Sequence, residues 1–597
     1  MPFGAAVDAD GVTFRLWAPG AKRIELGIED GRPTPQWQTL PRDDEGWYAT
    51  KRPDARAGTR YRYRVDGELA VPDPASRYNP GDVHGVSAVV DAAAFDWTDT
   101  AWGGRPWHEA IVYELHVGSF SPDGTFRGVV ERLDHIAHLG ATAIELMPIA
   151  DFPGRRNWGY DGVLLYAPDA CYGTPDDLKR LVVAAHARGL MVLLDVVYNH
   201  FGPEGNYLHR LAPAFFTARH PTPWGDGLNF DGHASRTVRD FFVHNALYWL
   251  EEFNVDGLRL DAVHAIADDS RPDFLTELAA AVREGPGRAR ERHLVLENDR
   301  NEARRLVRDA RRRPLQFTAQ WNDDFHHAAH RILTGEADGY YADYDTPIAC
   351  LGRCLAEGFA YQGERSAYRE RSRGEASVAL PPEAFVNFLQ NHDQVGNRAH
   401  GERLHMLADA EALRAALAIL LLAPSPPLLF MGDEFGSASP FLYFCDLEPA
   451  LNAAVREGRR AEFAAMTHAS AAGAPAPDPG AIETFERSVL DWHGVGRAPH
   501  SEWLAWYRAL LQRRHEAIVP LVPRIITGAA HHRCDGAQHL VVRWPLDDGR
   551  ALVVRARLGA AAPALDIPDD AEPVFVTPHA GDSRWAVAWH VEGARGR

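Results

Sequence analysis

Four short segments of the chain each run apolar and then stop on a charged or imidazole side chain. They are Asp-Val-Val-Tyr-Asn-His (195–200), Gly-Leu-Arg-Leu-Asp-Ala-Val-His (257–264), Leu-Glu-Asn-Asp (296–299) and Gln-Asn-His-Asp-Gln (390–394). They carry three acids at the apolar ends, Asp261, Glu297 and Asp393, with Asp195, Arg259, His200 and His392 close by. A buried strand with a polar tip has this pattern, and in a β/α barrel the reactive groups stand at the carboxyl ends of different strands. Carboxylates that attack and donate a proton are what cleavage of a glycosidic bond requires. One Asp after a strand is ordinarily a helix cap or a turn residue. Four such segments in order ask for another explanation.

The elements that must hold these tips can be read from periodicity. Residues 1–95 alternate as an all-β unit, with strands at 12–17, 23–28 and 60–65 separated by turn residues, and read as a β-sandwich. Residues 96–106, with Gly103-Gly104, read as the connection. From 107 to 515 strands and helices alternate. Expected strands lie at 111–117, 141–148, 190–197, 257–261, 293–297, 315–321, 384–389 and 427–431. The segment 127–140 reads as one amphipathic helix. Thr174-Pro-Asp-Asp177 opens another, with Thr as N-cap, Pro in the first turn and an acid three residues on. Eight such units predict an α/β fold, a (β/α)8 TIM-type barrel. Ala469 to Pro479 is a loop by composition. Residues 523–597 alternate again and read as a C-terminal β-sandwich.

On that frame Asp261 and Glu297 end adjoining strands. Parallel neighbours lie about 4.8 Å apart, close to the roughly 5–5.5 Å that separates the two carboxyl groups of a retaining mechanism. Asp261 is read as the nucleophile. Arg259, two residues earlier and on the same strand face, is expected to keep it ionised. Glu297 is read as the acid/base, its pKa raised by repulsion from Asp261 and Asp393. Asp393 is expected to steady the developing positive charge, with His200 and His392 as hydrogen-bond donors to the sugar. Asp195 reads as support for Arg259 or His200.

The bulk composition agrees. The 597 residues carry a formal charge of −19, which argues against nucleic acid or anionic membrane as a partner and fits a neutral substrate. Five sparse cysteines indicate neither a disulfide framework nor a zinc site. The N-terminus lacks a basic start and an apolar run, and no apolar stretch reaches membrane-spanning length, so a cytoplasmic protein is expected.

The four segments together resemble the four ordered sequence regions of the α-amylase superfamily. That resemblance implies the same three roles for Asp261, Glu297 and Asp393. The short stretch Tyr198 to Arg236 departs from the calcium-dependent amylases, so neither metal nor cofactor is expected. Further segments resemble one branch, the malto-oligosyltrehalose trehalohydrolases. They include Tyr113 to Ser121, Asn157-Trp-Gly-Tyr-Asp-Gly162, Phe201 to Tyr207, Thr222-Pro-Trp-Gly225, Gln320-Trp-Asn-Asp-Asp-Phe-His-His327, Glu297 to Glu302 and Met431 to Gly436. The branch implies hydrolysis of the α-1,4 bond next to a terminal trehalose, release of trehalose and maltodextrin, and a partner synthase that makes the substrate. On this reading Trp158 and Tyr160 offer flat faces to the sugar. Asp323 and Asp324 accept hydrogen bonds from trehalose hydroxyls, and His264 touches the same side. Glycogen branching and α-1,6 debranching use the same three acids and stay open as alternatives, as does, more remotely, a non-catalytic glucan-binding protein.

Overall fold

A computed structural model describes the chain except residues 1, 30, 32–34, 223–224, 465–474, 536–537, 560–564, 579–582 and 594–597. Pro223 and Trp224 of the Thr222–Gly225 segment, and residues 469–474 of the expected loop, therefore lie outside the described residues.

Eight parallel strands close into a barrel. We number them β1 (Val112–Leu115), β2 (Ala143–Leu146), β3 (Met191–Val196), β4 (Gly257–Leu260), β5 (His293–Leu296), β6 (Ala319–Trp321), β7 (Phe385–Phe388) and β8 (Pro427–Phe430). Each falls inside its expected segment. The barrel interior is filled by Val112, Ala143, Met191, Leu193, Val295, Ala319, Trp321 and Phe388. Side chains alternate along a strand. The inward row that begins with Val112, Ala143, Leu193, Gly257 and Val295 therefore continues to Glu114, Glu145, Asp195, Arg259 and Glu297. Apolar filling below and polar tips above come from the same row.

The helices follow their local signals. Thr174 caps Pro175–His186 through a reciprocal capping box with Asp177. The expected helix over 127–140 is two shorter ones, Phe126–Val130 and Leu133–Leu139, ending on left-handed Gly140. The expected strand at 315–321 is ordered as strand only over its last three residues.

The N-terminal region packs a three-stranded sheet (Gly4–Asp8, Gly11–Trp17, Trp47–Arg52) against a second sheet built on Ile24–Ile28 and Arg60–Val65. Trp17, Trp47, Tyr61 and Tyr63 are all buried, so they serve packing. Trp17 meets Phe215 of the barrel region at 5.8 Å, and Phe3 meets Phe241 at 5.2 Å. The connecting segment runs beneath the barrel, where Trp102 stacks on His186 at 4.6 Å and bonds to Asp256 at 2.8 Å. The C-terminal region is one five-stranded antiparallel sheet. Its second layer is supplied by barrel helices: Trp589 donates to the Ala418 carbonyl of helix Ala410–Leu422, and Trp544 to the Leu355 carbonyl of helix Pro347–Glu357. No helix among the described residues is long and apolar enough to cross a membrane.

Gly257 sits where β3, β4 and β5 approach most closely. A Cβ there would lie 2.3 Å from the His293 carbonyl oxygen and 2.7 Å from Leu193 Cδ2. Gly257→Ala should therefore cost about 3 kcal/mol, the upper range for overpacking, read as a lowered midpoint of chemical denaturation. An unchanged midpoint would contradict this packing.

Candidate active site

Barrel register brings the acids together. Asp195 pairs with Arg259 across β3 and β4, and Leu260 pairs with Leu296 across β4 and β5. Asp261 and Glu297 are the next residues beyond, so they leave adjoining strands at the same height. The Arg259 guanidinium is fully buried between them. Its Nη1 meets Asp195 Oδ2 at 2.5 Å and Asp261 Oδ1 at 3.0 Å, and its Nη2 meets Glu297 Oε2 at 2.7 Å. The flat cation lies over the Trp321 ring at 4.1 Å. Asn199 donates to Asp261 Oδ2 at 2.7 Å, fixing the carboxyl from the other side.

Ala262 follows Asp261 with φ 38, a left-handed conformation that a non-glycine residue adopts only under constraint. This turn aims its N–H at Glu297 Oε2, 2.8 Å away. The site thus binds one Glu297 oxygen twice, by Arg259 and by the Ala262 amide.

The charge order departs from the expectation. Burial pushes the Asp261 carboxyl well up, and neighbouring Glu297 adds to the effect. Burial would raise Glu297 too, but Arg259, His264 and the Ala262 amide hold it below its ordinary range. In the substrate-free site the proton therefore favours Asp261. The reason is geometric: Arg259 contacts both acids, and only Glu297 has the backbone amide as well.

On the opposite wall, Asp393 stands in the first turn of helix His392–Gly396, capped by Asn391. Its side chain is 39% exposed, the most open of the three acids. His392 behind it is almost wholly enclosed. Its Nδ1 meets Glu114 Oε1 at 2.5 Å, its backbone N–H reaches Glu114 Oε2 at 3.1 Å, and its Nε2 lies 2.8 Å from the Tyr160 hydroxyl. Burial opposes charge on His392, but Glu114 and Asp393 prevail and raise its pKa to about 9. Tyr160 also donates to Asp195 Oδ2 at 2.8 Å and stacks on His392 at 5.2 Å. Tyr160 is thus tied at its hydroxyl, with its ring partly open to the cleft.

Several candidates are placed otherwise than expected. Trp158 is only 4% exposed, stacked on Phe441 and edge-on to His392, with its indole N–H on the Leu442 carbonyl. It braces His392 and offers no free face to a sugar. Asp324 is wholly buried. It accepts from Asn301, Tyr344, Arg373 and the amides of Ala360 and Tyr361, which leaves nothing for a ligand. The helix Asp323–Thr334 turns the two neighbours about 100° apart. Asp323 alone is partly open, and burial and Glu297 push its carboxyl up. His264 is half-buried beside Glu297 and accepts from the Asp299 amide at 3.3 Å. His200 is tied to Asn199 and to the Tyr160 carbonyl, and burial lowers its pKa to about 4. His200 therefore positions Asn199, which in turn holds Asp261.

Sequence reading passed over Glu114, Asn199 and the Ala262 amide. The first had a signal: an acid in the middle of an apolar, doubly covered strand needs a buried partner. The short segment 198–236 also brings His220 and Asp231 to Asp269, with ligand-type atoms within 4.8 Å of one another. Arg219 pairs with both acids, at 3.1 and 3.4 Å, so the group is a salt-bridge cluster.

The His392 charge makes a pH prediction. An imidazole that titrates near 6.5 when free keeps its proton here to about 9. Its stabilisation is complete below pH 6.5 and lost as pH rises through about 9. Glu114→Gln should weaken the protein most at the acid end, with the deficit in urea midpoint shrinking toward the alkaline end. Equal deficits at both ends would contradict the pairing.

Comparison with known proteins fits this geometry. The family model of the alpha amylase catalytic domain matches residues 77–245. Carbohydrate-binding module 48, the isoamylase N-terminal domain, matches 2–77, and a domain of unknown function matches 527–596. The malto-oligosyltrehalose trehalohydrolase of Saccharolobus solfataricus is 42% identical over 517 residues, covering 86% of this chain and 87% of the relative. That of Mycobacterium tuberculosis is 38% identical over 592 residues, covering 96% and 97%. The crystal structure of a putative alpha amylase from Salmonella typhimurium superposes with a TM-score of 0.93 at 43% identity, covering 99% of each chain. A pullulanase from Paenibacillus barengoltzii, at 21% identity and a TM-score of 0.71, shares the fold. The chain belongs to the malto-oligosyltrehalose trehalohydrolase family of α-amylase-type glycoside hydrolases.

Proposed function

We propose that the chain hydrolyses the α-1,4 bond next to the terminal trehalose of malto-oligosyltrehalose by a retaining mechanism, releasing trehalose and a maltodextrin. The observation that carries the chemistry is the single buried guanidinium of Arg259 between Asp261 and Glu297, which end neighbouring in-register strands. Asp261 attacks the anomeric carbon, Glu297 protonates the departing oxygen and then activates water, and Asp393 faces the oxocarbenium-like charge. The substrate-free proton order must reverse for this. A glycosidic oxygen beside Glu297 draws its carboxyl from the Ala262 amide and Arg259. Arg259 is then left to Asp261, which ionises as Glu297 takes up the proton.

Tyr160 closes the sugar-facing side with His392 behind it. Asp323 and His264 face the leaving trehalose. The names of the relatives and their coverage of almost the whole chain support trehalose as the product. The branching enzyme relative from Streptomyces avermitilis matches only 42% of this chain, so the transferase reading has less behind it. The domain division 1–95, 107–515 and 523–597, with 96–106 as the connection, is part of this proposal. So is a partner synthase that supplies the substrate. The five unpaired cysteines suit a reducing, cytoplasmic setting.

Product analysis on a trehalose-ended malto-oligosaccharide and on amylose tests the substrate. Free trehalose from the first and no new α-1,6 branches in the second is the expected result; branches without trehalose would overturn it. Asp261→Ala and Glu297→Gln should each lower kcat by about a thousandfold or more with the fold retained, and near-normal turnover in either would contradict the roles. Asp323→Ala should raise KM for the trehalose-ended substrate, and an unchanged KM would remove Asp323 from the leaving-group side.

A further inference from the structure

Beside the cleft, outside the acid cluster, a cavity of about 230 Å³ lies between the loop after β5 and the hairpin formed by Arg365–Ser366 and Arg371–Ser372. The Arg300 carbonyl receives the Gly374 amide at 3.1 Å and the Asn301 carbonyl receives the Glu375 amide, so the two walls are pinned together. Five arginines line it: Arg300, Arg304, Arg369, Arg371 and Arg373. Only three carboxylates do, those of Asp299, Glu302 and Glu375.

The pairing inside the cavity is incomplete. Arg304 takes Glu302 and Glu375. Arg369 takes Asp299 through Nε at 2.8 Å and through Nη2, while Arg373 takes Asp324 and the Asp299 carbonyl. That leaves Arg369 Nη1 and Arg373 Nη2 enclosed with no hydrogen-bond acceptor. The Arg373 side chain is only 2% exposed, so bulk water cannot satisfy it. The exposed side chains of Arg300 and Arg371 have no carboxylate partner among the described residues. A chain of formal charge −19 thus builds one pocket with two guanidinium groups in excess.

We infer that this cavity is a binding site for a phosphate dianion, free or carried on a small sugar. Planar guanidinium forks match phosphate oxygens, and a phosphate monoester carries close to two negative charges at neutral pH. The two unsatisfied nitrogens and the two unpaired cations supply that charge in donors. A neutral sugar would leave them uncompensated. The inference stands apart from the hydrolase reading, since none of Asp261, Glu297 or Asp393 lines the cavity.

Calorimetric titration of the full chain with inorganic phosphate, glucose 6-phosphate and glucose, repeated on Arg300→Ser/Arg371→Ser, tests it. The expected result is saturable one-to-one binding of phosphate or glucose 6-phosphate, weakened about tenfold or more in the double variant. Both substituted side chains are exposed, and the variant should keep normal hydrolytic turnover, which serves as the check on folding. Tighter binding of the sugar phosphate than of free phosphate would place the sugar in the site; equal binding would mean the free anion. Absence of saturable anion binding, binding of glucose as tight as that of glucose 6-phosphate, or unchanged anion affinity in the double variant would each overturn the inference.

Discussion

The site depends on one buried cation. Arg259 has no exposed surface, stands over Trp321 and touches Asp195, Asp261 and Glu297. A charge taken out of water is tolerable only when its surroundings repay the lost hydration. Here the repayment comes from three carboxylates delivered by three strands. Asp195 is wholly buried and serves Arg259 and Tyr160. Asp261 and Glu297 keep some contact with solvent at the cleft, 12% and 19% of their side chains. The same guanidinium that makes the floor stable therefore sets the separation and the charge of the two acids above it. Arg259 also cannot lose its proton within any working pH range, so the only mobile proton in this part of the site is the one the acids exchange.

A second ion pair mirrors the first across the barrel. Glu114 on β1 holds His392 as a cation beneath Asp393, and Tyr160 links His392 to the Asp195–Arg259 pair through its hydroxyl. Two fixed cations thus back the acids, one beneath Asp261 and Glu297 and one beneath Asp393. Glu145, in register with Glu114, has no hydrogen-bond partner for either oxygen. Burial, with Glu114 beside it, pushes its carboxyl well up, so it sits neutral and does not compete with Glu114 for His392.

The barrel was legible because its strands are apolar runs that end on polar residues, and that pattern marks the fold and the site together. Asp261, Glu297 and Asp393 could be placed at one barrel mouth from strand order alone. What could not be read were contacts between residues far apart in sequence, such as Glu114 with His392, 278 residues away. Single-residue facing was also hidden. Asp323 and Asp324 are neighbours in the chain, but one helix step turns the second into the core, where Arg373 and Tyr344 claim it. Trp158 looked like a sugar platform because tryptophan so often is one, yet Phe441 had already covered its face. The proton order of Asp261 and Glu297 was misjudged for a similar reason: the decisive donor is the Ala262 amide, a backbone group that no side-chain pattern announces.

The central claim is that Asp261 forms a bond to the sugar. Peptide mass spectrometry after incubation with a fluorinated α-glucosyl analogue, which slows release of a glycosyl-enzyme, tests it most directly. The account predicts one covalent sugar adduct on the peptide that carries Asp261. An adduct on Glu297 or Asp393 instead, or none while the enzyme still turns over its substrate, would contradict it.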